Sequence, residues 1–206
     1  AQGYTVRVFN LIRPQNSDSW NCLNEVEDEV MAQVFADTII KNTSGGNGDH
    51  FWDNSELNLL KALILYVRFA YPEGHRNIGE VYQLLCNESE AALTKMIGTL
   101  PPGHPAKAPY NIFKQAADSV RGGVIIGLGS RLQVFQSELI RKITSFDEID
   151  LELPAHQRCA YFCITSDQDS TFDYLSSLFF SCLFIKLVRY ADSVGKGGKC
   201  DTPVNF

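Results

Sequence analysis

CAYFCIT, Cys159 to Thr165, is apolar at nearly every position, which suits a central strand of a parallel sheet covered on both faces. Near the start of the chain YTVRVFN, Tyr4 to Asn10, alternates aromatic and β-branched residues with polar ones and reads as a second strand. Outward from CAYFCIT, Ser170 can cap a long helix to about Ser193. GKGGK, Gly195 to Lys199, then reads as a loose turn, and PVNF, Pro203 to Phe206, as a strand just begun. Strand, helix and strand in that order form a βαβ crossover. A strand needs about five or six residues and a neighbour on its open edge, so the chain reads as the middle segment of a longer protein.

Between the two strands the pattern is helical. Asn24 is an N-cap candidate, with Glu25, Glu27 and Asp28 where a helix dipole favours acids. Val26, Val30, Val34 and Ile39 or Ile40 follow at helical spacing to about Lys41, and SGGNG (Ser44 to Gly48) breaks the run. Asp53, three residues before Glu56, resembles a capping box. Leu57, Leu60, Leu63 or Ile64, and Val67 then predict a helix that Pro72 stops. Asn77 with Glu80 and Asn87 with Glu90 repeat the cap-plus-acid pattern and predict helices over 78–85 and 88–97. Pro101, Pro102 and Pro105 stiffen the next loop, and Pro109 sits where a helix can begin. That helix is expected to run past Gly122 and Gly123 to Phe135, with a kink or close packing at the glycines. The economical fold class is α/β with a large helical content. A partial sheet, with strands near both termini (residues 1–24 and 128–206), is interrupted by an all-α insertion over about 25–127.

At 206 residues and 45% hydrophobic the chain can bury a real core, as one large domain or two small ones. Its net charge of −6 is the wrong sign for a protein that grips nucleic acid over its whole surface, because such affinity comes from neutralised phosphates. The charge is unevenly spread. Residues 51–125 carry seven Lys/Arg against seven Asp/Glu, while residues 1–50 carry three against seven. Within that least acidic segment Lys95, Lys107, Lys114 and Arg121, with Tyr110 and Phe113, form a candidate DNA or partner surface; a solvated mixed-charge face is the plainer account. The six cysteines have no Cys-x-x-Cys pairing and read as reduced thiols. The most apolar run, Leu175 to Val188, is well short of the ~20 residues a span needs and reads as a buried helix.

No phosphate loop of the form Gly-x-x-x-x-Gly-Lys-Ser/Thr occurs. Gly195 to Lys199 follows a helix and precedes a strand, the reverse of a phosphate cradle. Gly122, Gly123, Gly127 and Gly129 lie in a helical run. His50 and Asp53 can share one side of a helix start as metal ligands, but such a pair is more often a loop His beside a capping Asp. Asp167 and Asp169 lie just past the C-terminal end of a strand, the usual crevice for ligands in open α/β sheets; loop solvation and helix capping are the alternative.

Longer words then line up in order. VRVFNLIRPQNSDSWNCL, ADTIIKNT, HFWDNSELNLLKALILYV, HPAKAPYNIFKQAADSVRGGVIIGLGSRLQVF, ITSFDEIDLELP and CAYFCIT with SDQDSTF resemble, over essentially the whole chain, the coupling proteins of type IV secretion and conjugation. These are TraG-type, FtsK-like motor ATPases, here most similar to those of Gram-positive conjugative elements. The resemblance implies a RecA-like nucleotide-binding domain carrying an all-α domain. The implied parent is a homo-hexamer, anchored in the bacterial inner or plasma membrane by an N-terminal segment, with its working parts cytoplasmic. It uses ATP and Mg²⁺ to move DNA, with relaxase, other relaxosome proteins and secretion-channel components as partners. Phosphoryl transfer needs a phosphate cradle with its Lys and a carboxylate holding Mg²⁺. Neither is found in these residues, so no catalytic, metal or cofactor residue carries over, and the chain alone is expected not to hydrolyse ATP. Two other functions stay open: a helical protein-docking module without DNA contact, and a free-standing α/β enzyme using Asp167 or Asp169.

Overall fold

The computed structural model describes residues 3–44, 50–168 and 170–206. Two strands, β1 (Thr5–Asn10) and β2 (Cys159–Ile164), pair in parallel from Thr5 opposite Cys159 to Asn10 opposite Ile164. Between them, among the described residues, run eight α-helices: α1 (Glu29–Thr43), α2 (His50–Ala70), α3 (Ile78–Asn87), α4 (Glu90–Gly98), α5 (Lys107–Lys114), α6 (Asp118–Arg131), α7 (Glu138–Ile143) and the short α8 (Leu153–His156). After β2 comes α9 (Asp173–Ser193). The chain is therefore helix-rich with a small parallel sheet. The expected boundary near residue 127 falls inside α6, and helical structure continues to His156.

One aromatic keystone joins the sheet to the helices. Phe9 of β1 stacks on Phe179 of α9 at 5.4 Å, and Trp20 meets both rings edge-on at 5.8 and 5.3 Å. All three are buried. Such contacts add ~0.5–1.5 kcal/mol each beyond area burial, so α9 is fixed over one face of the sheet. The opposite face, with Tyr4, Val6, Phe162 and Ile164, is exposed. The expectation of a strand covered on both faces is thus met on one side only.

Helix starts follow the capping chemistry with shifts of a few residues. Asn21, not Asn24, caps a 3₁₀ turn (Cys22–Glu25) by accepting from Leu23 N. The α-helix then starts after Asp28, which accepts from Met31 N at 2.7 Å. The buried face of α1 is Met31, Ala32, Phe35, Ala36, Ile39 and Ile40, and Val30 and Val34 are exposed, against expectation. Asn77 caps α3 as read, but Ser89 rather than Asn87 caps α4. Asp53 lies in the first turn of α2 and not at its cap. The break between α5 and α6 falls at Gln115–Ala117, ahead of the glycines. Gly122 and Gly123 are helical, and a Cβ on Gly123 would lie 2.9 Å from the Trp52 ring, so close packing and not a kink explains that glycine.

At the end of the chain the readings fail in two places. Phe172 precedes α9 without a side-chain cap, so Ser170 does not serve as one. Pro203–Phe206 does not pair: Thr202 N donates to Ala155 O at 2.9 Å, and the residues beyond it form no strand. The third strand of the expected crossover is absent among the described residues. The Ser44–Gly48 break lies, from Gly45 on, outside the described residues, as does Asp169.

Candidate functional site

The corner formed by α4, α5 and α6 holds the basic and aromatic residues singled out by the sequence. Tyr110 and Phe113 face inward and are 1% and 2% exposed. The Tyr110 hydroxyl meets Thr94 Oγ1 at 3.0 Å, and its own pKa is pushed up chiefly by burial. Neither ring is presented to a nucleobase in this conformation. Arg121 is also committed inward. It donates to Glu90 Oε1 at 2.6 Å, to Asp118 Oδ1 at 2.8 Å and to the Ala116 carbonyl, where it closes the C-terminal end of α5. Lys107 and Lys114 sit seven residues apart, two turns along α5 and so on one side of it. Among the described residues neither forms an ion pair. Of the six residues in the predicted surface, Lys95 on α4 is exposed and likewise forms no ion pair among the described residues, so three lysines are left available, while Tyr110, Phe113 and Arg121 build the corner.

His104 lies just before α5 with its Nδ1 accepting from Ala106 N at 3.2 Å. Burial first, and the nearby Lys107 second, lower its pKa, so it stays neutral beside the lysine.

Asp167 lies exposed past β2, and the groove along that strand does not include it. Asp53 is engaged by Arg131 at 2.6 Å. Among the described residues no cluster of three or more His, Cys, Asp or Glu side chains is arranged to hold a metal. All six cysteines are unpaired, and burial pushes the Cys163 thiol up to about 11, away from nucleophile chemistry. α9 is the one helix among the described residues long and apolar enough to cross a membrane; here Leu175, Phe179 and Leu183 bury into the core while Phe180, Phe184 and Val188 are exposed.

Two charge networks were not foreseen from sequence. Arg131 at the end of α6 ties together the last turn of α1 and the first two turns of α2. It donates to Ile40 O, Thr43 Oγ1 and Ser44 Oγ at 3.0–3.2 Å, to Asp53 and to Glu56. Glu56 is nearly buried, and burial raises its pKa while Arg131 pulls it back. The second network fixes α9 at its far end: Lys186 reaches Glu25 at 3.3 Å and Glu27 at 3.0 Å, and Arg189 reaches Glu27 at 2.9 Å. The sequence signal for both is weak, because the partners lie between 75 and 162 residues apart.

Over residues 1–202 the chain matches the family described as Type IV secretory system conjugative DNA transfer. The match covers nearly the entire chain, and the protein belongs to this family. A comparison with curated proteins gives no match.

Proposed function

We propose that this chain is the recognition part of a conjugative coupling ATPase and that its helical body, at the α4–α5–α6 corner, contacts the transferred DNA or the relaxosome proteins bound to it. The strands and α9 belong on this reading to a RecA-like nucleotide-binding domain made of residues 1–24 and 128–206. The complete motor works as a cytoplasmic hexamer using ATP and Mg²⁺. Membership of the DNA-transfer family supports the process. The observation that carries the surface is the free pair Lys107 and Lys114, in a chain whose arginines at this corner and at α6 are neutralised in place.

Phosphate contact by two lysines has a defined signature. On single-stranded DNA the salt slope changes by roughly 0.7 per neutralised phosphate. Lys107→Glu with Lys114→Glu, leaving Arg121 intact, is expected to weaken single-strand binding at least tenfold and to flatten the slope by about 1.4. Binding measured by fluorescence anisotropy over a salt series is the test. Unchanged affinity and slope in a variant with normal melting would remove α5 as the DNA surface. A flat response in the native protein, with binding to a relaxase retained, would favour protein docking instead.

A further inference from the structure

Arg7, Arg121, Arg131 and Arg189 each pair with an Asp or a Glu. Arg68 and Arg76 do not. Both are half-buried, and among the described residues neither forms an ion pair. Arg68 lies in the last turn of α2 and donates its Nε to Val26 O at 3.0 Å. Arg76 lies in the loop to α3 and donates its Nε to Tyr71 O at 2.8 Å, while Tyr71 N closes that last turn on Val67 O. Both guanidiniums are therefore held at the carbonyl end of α2, each by its Nε. Their Nη groups have no partner among the described residues, and none of these groups is sealed from solvent.

The seat is rigid. Asn21 Nδ2 donates to Arg76 O at 2.8 Å, and inside the loop His75 N bonds to Pro72 O and Arg76 N to Glu73 O. The Arg68 guanidinium lies over the Phe69 ring, 5.9 Å from its centre, which fixes its plane. A helix C-terminus attracts a cation through its dipole, but that gives no reason to bring a second cation against the first. Burial first, and the like charge of Arg76 second, depress the Arg68 pKa, against the pull of Glu27, Glu25 and Glu73. Glu27 is held by Lys186 and Arg189, and Glu25 by Lys186. What would relieve this repulsion is an anion. A guanidinium anchored through Nε still presents its Nη groups as a planar fork that matches the oxygens of a phosphate. Two forks at one place suit a group with two negative charges, or two successive phosphodiesters, better than a single carboxylate.

We propose that Arg68 and Arg76 form a phosphate-binding site at the C-terminal end of α2, for a phosphate borne by a nucleic-acid strand or by a free nucleotide. The site lies on α2 and the loop to α3, which carry none of the α5 lysines, and it does not rest on the α5 reading.

The test titrates the protein near neutral pH and at constant ionic strength with inorganic pyrophosphate, with ATP free of metal, and with a short single-stranded oligothymidylate. The readout is the side-chain Nε–Hε NMR resonances of Arg68 and Arg76. Both should shift and saturate. Arg76→Gln should weaken binding at the Arg68 resonance at least tenfold, and Arg76→Lys, which keeps the charge but loses the fork, at least threefold. Tighter binding of oligothymidylate than of ATP or pyrophosphate assigns the site to a strand, and the reverse order assigns it to a nucleotide. Resonances of both arginines that stay in place with every probe would overturn the proposal. So would shifts that grow without saturation into the tens of millimolar, or affinity unchanged in Arg76→Gln. If that variant proves unfolded, the resonance titration of the native protein still decides. The α5 test reads the salt slope of strand binding and this one reads two named side chains, so either can fail alone.

Discussion

Replacing Arg131 with Met removes the one cation that satisfies Asp53, Glu56 and the last turn of α1 together. The side chains of Arg131 and Glu56 are only 15% and 6% exposed, so solvent screening is small. Breaking a buried pair by deleting one partner costs 3–5 kcal/mol, because the other charge is left uncompensated. Asp53 is 22% exposed and can find water, which places the expected loss near the low end, at about 3 kcal/mol. For a chain of this length that corresponds to a fall in Tm of roughly 6–12 °C. The loss also has a pH signature. Burial holds the folded Glu56 carboxyl above its ordinary value, and Arg131 acts against that. A group raised on folding contributes stability below its unfolded pKa and loses it as pH rises through the folded one. Without Arg131 the folded value climbs further, so the variant's deficit is small near about pH 4, where Glu56 is largely neutral in both proteins, and full at neutral pH. Calorimetric or urea unfolding at the two pH values checks this, with Arg131→Met/Glu56→Gln as the control. The double variant should recover at least half of the loss, since no buried charge is stranded. A deficit under about 1 kcal/mol, equal at both pH values and not relieved by Glu56→Gln, would refute the view of Arg131 as an electrostatic hub.

The glycines of α6 separate into two kinds. A Cβ on Gly127 would fall on Glu56 Oε1, whereas Gly129 has nothing within 4 Å. Gly127→Ala should therefore cost about 1–3 kcal/mol through overpacking, and Gly129→Ala should stabilise by up to about 1 kcal/mol through helix propensity; thermal melts of the two variants test the contrast. Asp28→Ala should cost about 1 kcal/mol by uncapping α1, while Asn24→Ala, which loses only a hydrogen bond from an exposed side chain to Asp147, should stay within about 0.5 kcal/mol.

Local chemistry carried most of the helical reading. Asn77, Pro72 and the apolar ladder of α2 each placed an element from a few neighbouring residues, since capping and periodicity are short-range effects. The misplaced start of α1 shows the limit. Asn21, Asn24 and Asp28 are all competent caps, and what chooses Asp28 is long-range: Asn21 N is held by Asp147 Oδ1 at 2.6 Å, and Asn24 by the same carboxylate. The inward placement of some candidate-surface residues was not legible for a related reason. Tyr110, Phe113 and Arg121 look like recognition residues in a linear listing, but α5 is amphipathic, and the aromatic face must go inward where α2 and α4 supply cover. Of the candidate residues, the lysines Lys95, Lys107 and Lys114 are the ones that packing leaves over.

The same logic separates the two ends of the molecule. In the helical body, long-range ion pairs close every junction they touch: Arg131 at α1, α2 and α6, Arg121 at α4 and α6. At the sheet the chain covers the β1 edge with Ser17 and Asp18, while the face carrying Val6 and Phe162 is exposed. A parallel sheet is stable in water only when covered, and a pair of strands gains little stability by itself. The sheet here persists because Phe9 is gripped by Phe179 and Trp20, so its anchorage comes from α9 and not from its own extent.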